Sequence, residues 1–316
     1  MPIEIGYLSQ LKELYIHALP LEELPSTIGQ LSQLKHLSVS NSPLTTLPES
    51  LGQLKRLKSL KLSGNQYTQL PNVVGQLQAL ETLEVANNPL VQLPDTIGQL
   101  RQLIELNLSS TLLQVLPATM KQLTALHRVY FCSNTVLTIP AALLQVPTLR
   151  LLDLRKSVIT TFPSNWQQLK TLQYLNLTHC QLTTVPNSLL QLQELQLLQL
   201  PNNQLTTLPP WLWDLPQLKM LDLHNNQLKS IPPIKRPHQH LSSIALSNNC
   251  IHSLPDTLHQ LQALHRLSLF HNSIKKLPSS LVKSSTLRNL GVDKALNKDA
   301  VNRQLKRKGV HILYYE

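Results

Sequence analysis

The sequence is poor in most of what enzymes and exported domains are built from. Of its 316 residues only 4% are aromatic, eight are glycine and three are cysteine. So few large rings exclude a core built around aromatic side chains and leave leucine to fill it. Cys132, Cys180 and Cys250 are odd in number and far apart, which excludes a disulfide framework and fits a reducing compartment. No stretch approaches the roughly 18 unbroken apolar residues a membrane helix needs, so no membrane span is expected. The first residues have neither the basic start nor the apolar run of a signal peptide. A phosphate-binding loop, HExxH, CxxC and a nucleophile elbow are all missing. The expectation is a non-catalytic chain with no cofactor, no metal and no small-molecule substrate.

What is present is a pattern. From Leu8 to Lys283 a 23-residue unit recurs twelve times without insertion or deletion. Clear copies read LKRLKSLKLSGNQYTQLPNVVGQ (54–76) and LQALETLEVANNPLVQLPDTIGQ (77–99). Each unit holds an LxL stretch such as Leu60 and Leu62, and period-2 alternation predicts a strand with its leucines turned inward. Eleven residues into most units stands a short polar residue: Asn65, Asn88, Asn134, Asn203, Asn226, Asn249 or Asn272. Ser42, Thr111, Ser157 and Cys180 take that place elsewhere, and Leu19 is the exception. There the strand ends, and a short polar side chain can satisfy backbone groups that the sheet leaves over. A proline then recurs from Pro25 to Pro278, which suits the irregular outer side of a coil and not a sheet. Gly29, Gly52, Gly75 and Gly98 mark the return of the chain, but Lys121, Leu144, Gln167, Leu190 and Trp213 replace them later. The outer turn is therefore expected to be more helical in the second half.

Over residues 2–283 this pattern resembles the leucine-rich-repeat superfamily. Its LPxxIGxL phase is similar to intracellular Ras-group-type repeat scaffolds and to bacterial repeat proteins. It lacks the paired cysteines of extracellular members and the shorter LPxLPxx unit of one class of secreted effectors. The resemblance implies an α/β solenoid, a superhelix with a parallel β-sheet on its concave face and short helical or irregular segments on the convex one. It also implies binding of a protein partner and no chemistry of its own, since a fold does not give a function.

The two ends differ. Residues 1–7 carry Pro2, Ile5 and Gly6 in the phase of Pro25, Ile28 and Gly29, so they read as the tail of an incomplete repeat. Leu8, Leu11, Leu14 and Ile16 then face an end with little over it. Earlier repeats, a partner or second copy, and fraying are the three explanations, and the exact phase favours the first. End-to-end self-association through this end is one form of the second. Residues 284–316 read as a divergent repeat with a cap: a helix with Asn297 as N-cap, Leu296, Ala300, Val301 and Leu305 on its apolar face, Gly309 as its stop, and a final strand at 310–315. Residues 275–316 hold ten Lys or Arg against three acids, a net +7 of the chain's +11. The repeat body is thus nearly neutral, and the basic charge reads as a solvated face of the cap.

Equivalent strand residues of successive units stand roughly 4.8 Å apart. Most outward ones are small or polar, as at Ser38, Ser63, Ala86 and Ser247. Units seven to ten differ, with an apolar ladder of Leu151, Tyr174, Leu197 and Met220. Beside it run Asp153, Asn176, Gln199 and Asp222, then Arg155, Thr178, Pro201 and His224, with Tyr130 extending the patch. An apolar centre with a charged rim is what a protein-binding surface requires. Those residues, Thr178 and Pro201 excepted, are the candidate partner-binding set. The bland alternative is a ladder that stabilises the sheet and is half-covered by its own loops. His17, His36 and Tyr15, and Arg266, Phe270 and His271, are weaker candidates.

Three constellations invite chemistry and carry little. Cys132 should neighbour Arg155, which favours a thiolate, but His179 is two repeats away. Glu84 and Glu105 would be a carboxylate pair on an open sheet, and HQH (238–240) falls in an outer loop after IPPIKRP. NLS (107–109) and NLT (176–178) match glycosylation acceptors by pattern alone. The reading is therefore a cytoplasmic protein-interaction scaffold with an unnamed protein partner. The alternative is the recognition domain of a longer enzyme, signalling protein or effector delivered into another cell. A nucleic-acid binder stands behind both.

Overall fold

The computed structural model describes residues 1–135 and 138–315. It divides into two compact units, Met1–Pro163 and Ser164–Glu316. In the first, β1 (Glu13–His17), β2 (His36–Ser40), β3 (Ser59–Lys61), β4 (Thr82–Glu84), β5 (Glu105–Asn107), β6 (Arg128–Tyr130) and β7 (Leu151–Asp153) pair in chain order, all parallel. The second does the same with β8 (Tyr174–Asn176), β9 (Leu197–Gln199), β10 (Met220–Asp222), β11 (Ser243–Ala245), β12 (Arg266–Ser268), β13 (Asn289–Asp293) and β14 (His311–Tyr315). Each unit is a solenoid with one strand per coil.

Register follows the sequence repeat. Leu14, Leu37, Leu60, Leu83 and Leu106 stand directly opposite one another in one column, and Leu175, Leu198, Leu221, Ile244, Leu267 and Leu290 in another. From Leu37 and from Leu175 onward these residues are at most 1% exposed. Alternation makes this possible, because only every second strand residue faces the core.

At the strand ends Asn65, Asn88, Asn134, Asn203, Asn226 and Asn249 are buried and bridge coils. The Asn88 amide donates to the carbonyls of Leu62 and Val85, 2.9 Å each, while its oxygen accepts from the Tyr67 amide at 3.1 Å. Asn203 likewise donates to Leu177 and Leu200 and accepts from the amides of Cys180 and Leu182. Shorter substitutes do part of this: the Ser157 hydroxyl donates to the Phe131 carbonyl at 3.1 Å, and that of Thr111 to Leu108 at 3.0 Å. The residue just before is left-handed, with φ between 54° and 60° at Asn41, Asn87, Ser110, Ser133, Lys156, His179, Asn202, Asn225 and Asn248. Asn tolerates that conformation better than most residues. This explains the Asn-Asn doublets at 87–88, 202–203, 225–226 and 248–249, whose first member the repeat reading left unexplained.

The outer side is 3-10 helical in both units. Five-residue turns such as Ser26–Gln30, Glu49–Gln53, Asn187–Gln191 and Ser279–Lys283 begin after the recurrent proline, and a following amide bonds back three residues, as from Leu54 to Leu51. One short α-helix, α1 (Ala141–Leu144), interrupts the series. The expected shift to a more helical second half is therefore corrected. The proline and the closing leucine set the turn, and the glycine serves a different purpose: a Cβ on Gly29 would lie 2.4 Å from the Ser50 carbonyl oxygen of the next coil.

The last coil also departs from expectation. Its helix, α2 (Ala300–Arg307), is capped by Asp299, whose carboxylate accepts from the Val301 amide at 2.7 Å and the Asn302 amide at 3.4 Å; Asn297 instead ends a preceding 3-10 turn. Asn302, not Ala300, joins Val301 and Leu305 in the core, because its side-chain amide donates to the Leu296 carbonyl at 2.7 Å. Gly309 at φ 82° ends the helix, and β14 follows.

Asn88→Ala strands the Val85 carbonyl and the Tyr67 amide away from water, so we expect it to destabilise the chain by about 2–4 kcal/mol. The exposed Asn72→Ala should cost less than about 0.5 kcal/mol. Urea unfolding of both variants checks this.

Candidate protein-binding face

The sequence-predicted binding residues lie on the strand-lined face, four in the first unit and seven in the second. In the first, Tyr130 and Leu151 are half-buried. Burial raises the Tyr130 phenol above its ordinary pKa, with Glu105 adding to the effect. Arg128 pairs with Glu105 at 2.8 Å, as Lys61 pairs with Glu84 at 3.1 Å, so each carboxylate of the suspected acid pair has its own cation.

Asp153 was expected on the rim, and the structure buries it. Its carboxylate turns back along its own strand, accepts from the Arg155 amide at 3.1 Å and lies 3.3 Å from the Arg155 guanidinium. The same turn recurs at Asn107 with the Ser109 amide, Asn176 with Thr178, and Asp222 with His224. These polar residues hold the amide two positions on, where the strand has ended. Asn176 is likewise buried, so it and Asp153 shape the face from beneath.

In the second unit Tyr174, Leu197, Met220 and Ser243 stand opposite one another across successive strands, and Asn176, Gln199, Asp222 and Ala245 form the next row. The Tyr174 hydroxyl donates to the Gln199 side-chain oxygen. Tyr174 and Leu197 are half-buried and Met220 is 45% exposed, so the ladder is less open than the sequence suggested. At its charged margin the His224 imidazole Nδ1 sits 2.8 Å from an Asp222 carboxylate oxygen, with both side chains partly exposed. Ser243 and Ala245 bound the patch with small side chains.

An aromatic group at the far end of the second unit was only half anticipated. Tyr315 meets His271 edge-on at 4.2 Å and lies 6.0 Å from Phe270. Phe270, Asp293 and Tyr315 occupy equivalent strand positions, but the final repeat is 22 residues long instead of 23, which hid Tyr315 from a strict count.

The reactive constellations resolve into structure. Cys132 is buried, its thiol 3.6 Å from the Asp153 carbonyl, and burial followed by Asp153 pushes its pKa up. The Ser109 and Arg155 side chains pull the other way and are outweighed, so the thiolate that Arg155 could favour is not stabilised. His238 is buried as well: its Nε2 donates to the Leu215 carbonyl at 3.0 Å, while Nδ1 accepts from the amides of His240 and Leu241. Both nitrogens are engaged by a neutral ring, and burial holds its pKa below 6.5. Among the described residues no group of three or more His, Cys, Asp or Glu is placed to hold a metal, and no helix is long and apolar enough to cross a membrane.

A leucine-rich-repeat family model matches residues 9–66 and 170–228, and a model of a leucine-rich repeat region matches 48–146. No curated protein matches the chain. A solved leucine-rich-repeat protein of Leptospira interrogans is 31% identical, with a TM-score of 0.68 over 99% of this chain and 92% of that one. A chain of the glycosylated Toll–Spätzle complex of Drosophila is 23% identical, with a TM-score of 0.81 over 90% of this chain and 40% of that one. The functional domain of InlJ from Listeria monocytogenes is 19% identical, with a TM-score of 0.61 over 92% and 66%. The last two likenesses are of fold, and this chain spans two-fifths of the Toll–Spätzle complex chain.

Two outcomes follow from the buried groups. Iodoacetamide at about pH 8 should modify Cys132 at least about tenfold more slowly than the exposed Cys250, since less of a raised-pKa thiol is thiolate; peptide mass spectrometry measures both. For His238, the unfolded chain takes up its proton at higher pH than the folded one, so folded stability falls as the pH drops below about 6.5. Urea midpoints from about pH 7 to about pH 5 should fall less steeply in His238→Gln than in the parent chain.

Proposed function

The chain belongs to the leucine-rich-repeat family, and from that premise we propose that it is a non-catalytic scaffold that binds a protein partner on its strand-lined face, expected to be concave. The observation that carries this is the row Tyr174, Leu197 and Met220, bordered by Gln199, Asp222 and His224. It pairs apolar area with fixed polar groups, and its backbone is held by the strands and the Asn bridges beneath. Pre-organised surfaces of this kind lose little entropy on binding. Tyr130, Leu151 and Arg155 supply a similar mixture on the face of the first unit. The Toll–Spätzle structure is a protein complex in which a chain of this fold takes part, which supports protein recognition as the use of this one.

Cysteines that are few, odd in number and far apart in the sequence support a reducing, cytoplasmic location. Nucleic acid is the weaker partner, because charges on the first unit's sheet face are paired and the excess basic charge is concentrated in residues 275–316.

Affinity capture from the source cell's lysate tests the reading. A protein should be retained by the parent chain and lost with Tyr174→Ala/Asp222→Lys, with both chains still unfolding cooperatively. It should survive Trp211→Ala on the outer side. Equal retention by the sheet-face variant would place binding elsewhere.

A further inference from the structure

The strand-lined face of the second unit carries another patch, on β12 to β14. Its outward positions form rows across the three strands: Arg266, Asn289 and His311, then Ser268, Gly291 and Leu313. In the row beyond, Phe270 follows β12, and Asp293 stands opposite Tyr315. One side of this grid is apolar. Leu313 is 48% and Tyr315 51% exposed, and Phe270 is half-buried. Gly291 makes room for the Phe270 ring, since a Cβ there would lie 2.5 Å from its Cζ. A glycine inside a strand marks a close approach of this kind.

The other side is basic and lacks counter-charges. Arg266, Arg288 and His311 are exposed, and among the described residues no carboxylate pairs with them. Asp293 is the one acid on these strands, and backbone amides occupy it. Its Oδ1 accepts from the His271 amide at 2.7 Å and its Oδ2 from the Asn272 amide at 3.1 Å. On the first unit's face, by contrast, cations are matched within the chain, Lys61 by Glu84 and Arg128 by Glu105. On β12 to β14 the matching charge is left to a ligand.

We propose that this patch binds an acidic peptide segment of a partner protein. Carboxylates of the segment pair with Arg266 and Arg288, whose guanidinium groups offer each of them two parallel donors. A large apolar side chain of the segment packs on Phe270, Leu313 and Tyr315. Arg266 and Phe270 are roughly 13 Å apart along the strand, so acid and apolar residue stand about four positions apart in an extended segment. Single-stranded nucleic acid also uses cations and aromatics, but it stacks successive bases on open ring faces. Tyr315 meets His271 edge-on and Phe270 at 58°, so these rings form no such row. The proposal rests on the strand-lined face being a protein-binding one. It shares no residue with the row Tyr174, Leu197 and Met220, so either can fail alone.

Panning a phage library of random dodecapeptides on the 316-residue chain tests this, with an enriched peptide then labelled and titrated by fluorescence anisotropy. Enriched sequences should combine Asp or Glu with an aromatic or large aliphatic residue. Arg266→Glu/Arg288→Glu and, separately, Leu313→Ser/Tyr315→Ser should each weaken binding of that peptide at least about tenfold. Lys235→Glu/Arg236→Glu makes the same charge change at exposed residues of an outer loop and should leave binding unchanged. A copy of the peptide with lysine in place of its acids should prefer the Arg266→Glu/Arg288→Glu chain to the parent, which a misfolded variant would not show. No enrichment, enriched peptides without acids, or binding indifferent to both sheet-face variants overturns the proposal. So does a single-stranded oligothymidylate that binds the parent and displaces the peptide, which would assign the patch to nucleic acid.

Discussion

Every coil depends on how its backbone is satisfied where the strand ends. The chain turns there in a left-handed conformation, and the carbonyls of two neighbouring coils converge on the buried interior. An Asn side chain has the two donors and the acceptor that this junction needs, within the reach of a short stem. Asn88, Asn203, Asn226 and Asn249 each bridge to the coil before. Because a buried amide or carbonyl without a partner is costly, these bridges fix the spacing of the coils, and the leucine columns fill the space so defined.

That division of labour leaves the strand-lined face available. Inward positions are committed to leucine and turn positions to Asn, whereas the outward strand positions are constrained only by their neighbours on the sheet. Residues as different as Lys61, Glu84, Asn107 and Tyr130 occupy equivalent places there. A partner would read this face, and the repeat beneath would hold it still. The same logic accounts for the surroundings of the suspected reactive groups. Cys132 and His238 have their polar atoms turned toward backbone, and Glu84 and Glu105 are each neutralised by a basic side chain on a neighbouring strand.

The repeat was legible because its positions recur at a fixed interval: strand, polar turn and outer proline all fell where the 23-residue count put them. What remained hidden concerned groups that a linear pattern does not compare. Asp153 and Asp222 occupy equivalent positions, yet one is buried by its Arg155 neighbour and the other partly exposed beside His224. The outer glycines looked like turn formers, but their role is to let the next coil approach closely. At the last coil the count itself shifts by one residue, so Tyr315 joined Phe270 and His271 unannounced, and of two residues suited to capping the helix the structure uses Asp299 and not Asn297.

The central claim is that recognition uses the strand-lined face while the Asn-bridged coils stay fixed. Hydrogen–deuterium exchange of the chain with and without a captured partner tests it most directly. The account predicts added protection across segments 174–178, 197–201 and 220–224, with the outer 3-10 turns at 187–191 and 210–214 unchanged. Protection confined to those outer turns, with the strand segments unaltered, would contradict it.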